Sequence, residues 1–127
     1  MCYTSDMKKL FAAVAIIIGS TFTVTACSPA ASPSVDFTAS TTVIDVRTPA
    51  EFAEGHLEGA VNSDVSAPTF ASEISQLPVD GEYVIYCRSG NRSAQAVSQM
   101  TELGFTNLTD VGGVQQASAA TGLPVVK

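Results

Sequence analysis

Glu82-Tyr83-Val84-Ile85-Tyr86-Cys87-Arg88-Ser89-Gly90-Asn91-Arg92-Ser93 runs from the most apolar segment beyond the leader into a short polar loop. The five residues before Cys87 are β-branched or aromatic apart from Glu82, which predicts a central strand with Cys87 as its last residue. From Ser93 to Leu103 the pattern turns helical, with Ala94, Val97 and Met100 expected inward and Gly104 as the stop. A strand, a tight loop and a helix in succession predict an open α/β unit. Such units bind ligands beyond the carboxyl ends of their strands, where Cys87 would stand.

Outward from this stretch the alternation continues. Thr42 to Val46 reads as a buried strand. Thr48-Pro49-Ala50-Glu51 is a helix start, with Thr as N-cap, Pro at the first helical position and Glu closing a capping box; Gly55 ends that helix. Gly59 to Asn62 predicts a short strand, and Phe70, Ile74 and Leu77 recur at helical spacing until Pro78. Asp80-Gly81 predicts a turn, Phe105 to Val111 a strand, Gly112-Gly113 a turn and Val114 to Ala120 a helix, before Gly122 to Val126 closes the chain. The fold class expected is α/β, with a mostly parallel sheet flanked by helices on both faces.

The beginning of the chain reads differently. Met7-Lys8-Lys9, the apolar run Leu10 to Ile18 and a small-residue exit to Ala26 form the three parts of a secretory signal peptide. The competing reading, a retained anchor, has only Leu10 to Ala26 to cross ~30 Å of hydrocarbon, and its second half is Thr-rich. Val24-Thr25-Ala26-Cys27 resembles the lipobox of bacterial lipoproteins, which implies cleavage before Cys27 and a diacylglycerol on its sulfur. Ser28 to Ser34 is small and Pro-punctuated, as a tether would be. The organisation expected is a leader over 1–26, a lipidated Cys27 with a tether over 27–39, and a domain over 40–127 on the extracytoplasmic side of a membrane. Met1 and Met7 are both possible starts.

Charge and cysteine usage then narrow the function. The whole chain has 6 basic and 12 acidic residues; loss of 1–26 removes Lys8, Lys9 and Asp6 and leaves a net charge of -7. That excludes phosphate-neutralising nucleic-acid binding. One His and three Cys do not make a metal site at any sensible spacing, and no cofactor is called for. After cleavage the cysteines are Cys27 and Cys87, so Cys87 is either an inert core residue or a chemical one. Arg88 and Arg92 flank it, half of the four basic residues that remain, and Ser89, Gly90 and Asn91 can turn backbone N–H groups inward as an anion nest. A helix N-terminus and adjacent guanidiniums pull a thiol from ~8.5 to between about 3.5 and 7.5. Cys87 is therefore the candidate nucleophile, with Arg88, Ser89, Gly90, Asn91 and Arg92 as the anion-binding loop.

Cys87-Arg88-Ser89-Gly90-Asn91-Arg92 resembles the Cys-Arg-x-Gly-x-Arg loop of rhodanese-like domains. Asp45-Val46-Arg47, Glu51-Phe52 and Gly55-His56-Leu57-Glu58-Gly59-Ala60-Val61-Asn62 are similar to that family's upstream signature, and Gly112-Gly113 with Gly122 to Val125 to its closing one. The resemblance spans Val43 to Val125. It implies a five-stranded parallel sheet and sulfur transfer through a persulfide on Cys87, from a small anion such as thiosulfate to cyanide or a thiol. It also implies that Arg92 cradles the persulfide and that Arg88 contacts the donor from the rim. The loop is one residue shorter than the Cys-x5-Arg loop of the related phosphatases and arsenate reductases, which favours a single sulfur over a tetrahedral phosphate. A tethered persulfide carrier or thiol redox sensor uses the same cradle and stands as the alternative. Ser63-Asp64 replaces the family's usual apolar-Pro pair, and the closing helix has no Trp.

Other residues read as structural. His56 lies in the Gly-His-Leu-Glu-Gly-Ala turn, which in this family is scaffold. Asp45 at its strand end is a possible support for the loop or for an Arg, and Arg47 is expected to pair with Glu51 or Glu58. The remaining acidic residues read as a solvated surface.

Overall fold

The structure, a computed structural model, describes residues 36–127. The expected leader, the expected lipidation site Cys27 and the expected tether up to residue 35 lie outside the described residues. Strand β1 is Thr42–Asp45, helix α1 Pro49–Glu54, strand β2 His56–Leu57 and strand β3 Val61–Asn62. Helix α2 (Phe70–Ile74), strand β4 (Tyr83–Cys87) and helix α3 (Asn91–Glu102) follow, then β5 (Leu108–Gly113), α4 (Val114–Thr121) and β6 (Val125–Val126).

The apolar stretch before the loop is the centre of the sheet. All five residues of β4 are buried, and the strand order is β3-β1-β4-β5 with every pairing parallel. Successive side chains of a strand point to opposite faces. Tyr83, Ile85 and Cys87 join one core cluster with Ile44, Phe70, Ala96 and Met100, which places α2 and α3 on that face. Val84 and Tyr86 join the other with Val43, Leu57 and Ala117, which places α4 there, and Phe37 packs against it from ahead of β1.

The parallel sheet has four strands, not five. The two remaining short strands, β2 and β6, pair antiparallel in a separate ribbon, with His56 opposite Val126 and Leu57 opposite Val125. Leu57 is fully buried in the second cluster and its N–H donates to the Tyr86 hydroxyl at 3.0 Å. Burial against the sheet face holds this segment over the sheet instead of at its edge.

Two local expectations also change. Gly112-Gly113 ends β5 and runs directly into α4 instead of forming a separate turn. Helix α3 begins at Asn91 and buries Ser93, Ala96 and Met100; Ala94 faces solvent and Val97 packs only at the core's margin. The inward stripe is thus turned toward Ser93, because that hydroxyl has partners at the end of the sheet.

Candidate active site

The Thr48 capping box forms as the sequence pattern predicts: Thr48 Oγ1 accepts from the Glu51 N–H, and the Glu51 carboxylate accepts from the Thr48 N–H. This turns Glu51 back toward the helix start, where it meets Arg92. The two guanidinium nitrogens of Arg92 donate to the two carboxylate oxygens of Glu51 at 2.7 and 2.8 Å. Arg92 holds Glu51 far below the usual carboxylate range, at about 2, and Glu51 in turn keeps Arg92 more firmly protonated.

The expected pairing of Arg47 with Glu51 or Glu58 does not form. Arg47 reaches Asp45 instead, with Nη2 at 2.6 Å and Nε at 2.9 Å from its two oxygens, and also donates to the Gly55 carbonyl at 2.6 Å. Residues two apart in an extended chain share a face, so Asp45 is the nearer partner, and both are buried. Asp45 also accepts from the Arg47 N–H. Its support goes to Arg47 and not to the loop arginines. His56 stacks on Phe52 with ring centroids 3.7 Å apart and meets the Phe52 carbonyl through Nδ1.

Between β4 and α3 the loop is only Arg88-Ser89-Gly90. Gly90 caps α3 at φ +99°, a left-handed conformation that favours glycine, and its N–H donates to Cys87 Sγ at 2.9 Å. Cys87 is fully buried. Burial pushes its thiol up, but the Ser93 hydroxyl and the N–H groups of Ser93, Gly90 and Ser89 outweigh that and bring it below the ordinary thiol range. Arg88 and Ser89 are exposed, and Asn91 is the exposed first residue of α3. Arg88 forms no ion pair among the described residues. A cavity of about 550 Å³ opens beside it, walled also by Arg47, Glu51, Glu54, Val114 and Gln116. Gly113 closes the far side of the loop: a Cβ there would stand 2.6 Å from the Arg88 carbonyl oxygen.

Ser93 and Asp110 are site residues that sequence reasoning missed. Ser93 Oγ lies 3.6 Å from Cys87 Sγ and donates to Asp110 Oδ1 at 2.7 Å, and Asp110 also accepts from the Gly112 N–H at 2.9 Å. Asp110 is therefore not simply part of a solvated surface. Its signal is position: it precedes the Gly-Gly pair on the strand beside β4, opposite Ile85.

A thiol below its usual range, cradled by amides at the carboxyl end of a central parallel strand, fits an anionic sulfur nucleophile. The family model for the rhodanese-like domain matches residues 33–120. The chain belongs to the rhodanese-like family. A sulfurtransferase of Allochromatium vinosum is 37% identical over 84 residues, covering 66% of this chain and 77% of that protein. Thiosulfate sulfurtransferase 16 of Arabidopsis thaliana, a chloroplastic protein, is 36% identical over 91 residues, with 64% and 76% covered. The crystal structure of a rhodanese-related protein from Thermoplasma volcanium superimposes with a TM-score of 0.57 at 37% identity, covering 68% of this chain and 84% of that one. Membership of the rhodanese-like family, with sulfurtransferases among its relatives, supports sulfur transfer as the activity of this domain.

Proposed function

We propose that the protein is a sulfurtransferase that carries sulfane sulfur as a persulfide on Cys87, loaded from a small anionic donor such as thiosulfate. The observation that carries this reading is the Gly90 N–H aimed at Cys87 Sγ at 2.9 Å, at the mouth of the central strand. The Cys87 thiolate attacks the outer sulfur of thiosulfate; a new S–S bond forms, the donor's S–S bond breaks, and sulfite leaves with the electron pair. The persulfide anion rests among the loop amides, which stabilise it as fixed donors. Arg92 supplies positive charge held in place by Glu51, and exposed Arg88 meets the incoming dianion. Cyanide or a thiolate then attacks the terminal sulfur, leaves as thiocyanate or a persulfide, and returns Cys87 as thiolate. A steady-state assay with thiosulfate and cyanide tests this: thiocyanate should form over many turnovers and cease in Cys87→Ser. A single equivalent per protein would instead mark a carrier.

We also propose that the domain is exported and held on a bilayer through Cys27. The support is the Lys-Lys, apolar, small-residue order before Val24-Thr25-Ala26-Cys27, together with the gain in anchoring that two or more acyl chains provide over one. Incorporation of a labelled fatty acid, absent in Cys27→Ser, is the expected result.

A further inference from the structure

Ser93 has one hydroxyl hydrogen and three neighbours that could use it. Its Oγ is 2.7 Å from Asp110 Oδ1, 3.0 Å from the Gly90 carbonyl oxygen and 3.6 Å from Cys87 Sγ. The carboxylate is both the nearest and the charged one, and charge-assisted hydrogen bonds are the strong ones. The hydrogen therefore points at Asp110, and a lone pair faces the sulfur. In that orientation the thiol S–H donates to Ser93, and the hydroxyl stabilises the thiolate only by turning from Asp110 to the sulfur, so the Asp110 bond opposes what Ser93 gives the thiolate.

We propose that Asp110 is a positioning residue that acts through Ser93 to set how much of Cys87 stands as thiolate. Cys87 and Ser93 are fully buried, whereas Asp110 is exposed, so the pair also connects the sulfur with water. On ionisation the S–H bond breaks and its proton goes to Ser93 Oγ, while Ser93 passes its own hydrogen to Asp110, which releases it to solvent. The new hydroxyl hydrogen lies toward the sulfur, and water takes the place of Ser93 at Asp110. Nothing is oxidised or reduced.

Other charges face the same sulfur. Arg92 on α3 acts on it through its charge, Glu51 on α1 and Asp64 ahead of α2 act on Arg92 in the same way, and Arg88 adjoins it on the loop. None of these contacts Asp110 among the hydrogen bonds and ion pairs of the described residues, so replacing Asp110 leaves them in place. The inference rests on Cys87 being the sulfur carrier, but thiol ionisation is measured without any sulfur donor, so the two can fail separately.

The experiment is the pH dependence of iodoacetamide alkylation in the full chain, followed on the Cys87-containing peptide so that no other thiol contributes. Asp110→Asn keeps a carbonyl for the Gly112 N–H and removes the charge that holds the Ser93 hydrogen. Its midpoint should fall by about half a pH unit or more, since a hydrogen bond to a charged group is worth about 1 to 2 such units. Ser93→Ala should raise the midpoint, and in that background the Asp110→Asn shift should shrink to less than half. An unmoved or raised midpoint in Asp110→Asn overturns the proposal. So does a shift of equal size without Ser93, which would mean that the carboxylate acts through space alone.

Discussion

Glu51 and Arg92 stand 41 residues apart in the chain and are joined by two parallel hydrogen bonds of 2.7 and 2.8 Å. The same carboxylate closes the capping box of α1. One side chain thus fixes the start of a helix and the direction of a loop arginine, and ties the first βα unit to the reactive loop.

This clasp makes stability depend on pH in a defined window. Glu51 lies at about 2 in the folded protein against 4.5 ordinarily. A depressed carboxylate contributes stability that is present above its unfolded value and lost as pH falls through its folded one. Unfolding free energies of the wild type and Glu51→Gln from urea titration should therefore differ at neutral pH, by ~1 kcal/mol or less for a partly exposed pair, and converge as pH drops from 4.5 towards 2. A difference that persists unchanged in acid would assign the stabilisation to the cap alone.

Arg47 should matter more. Its pair with Asp45 is buried on both sides, with 7% and 0% of the side chains exposed. Arg47→Met leaves a carboxylate buried without its cation, and should cost about 3–5 kcal/mol by chemical denaturation. Adding Asp45→Asn to that variant should recover part of the loss.

Tyr86 spans the second core cluster to hold the β2 segment. Tyr86→Phe leaves the Leu57 N–H, 3.0 Å from the lost hydroxyl, without a partner. A buried orphan donor costs about 1–3 kcal/mol. Hydrogen exchange at Leu57 should accelerate more than at β1 or β4 amides.

Gly113 is required by a close approach of backbone to backbone. Its would-be Cβ lies 2.6 Å from the Arg88 carbonyl oxygen and 2.7 Å from Gln116 Oε1. Gln116 can move, but the Arg88 carbonyl cannot without moving the loop. Gly113→Ala should destabilise by about 1–3 kcal/mol and slow sulfur transfer further than stability alone explains, measured as turnover at a temperature where the variant stays folded.

Much of this was legible in the sequence because it is local. The continuous apolar run of β4, the Thr48–Glu51 box and the polar loop after Cys87 each depend on neighbours within a few residues. What was not legible depends on distant pairing. Strands β2 and β6 are two residues long, carry no periodic signal, and join His56 to Val126. Arg47 had three acidic residues in reach, and only the geometry at the end of β1 selects Asp45. Ser93 looked like a helix position and Asp110 like surface charge; parallel pairing of β5 beside β4 brings them together. The chemistry-bearing loop could be read in advance, and its supporting partners could not.

The most direct measurement is the intact mass of the protein after incubation with thiosulfate and removal of excess donor. A gain of one sulfur atom, reversed by cyanide and absent in Cys87→Ser, is the predicted result. An unchanged mass, or an adduct that persists when Cys87 is replaced, would contradict sulfur transfer through Cys87.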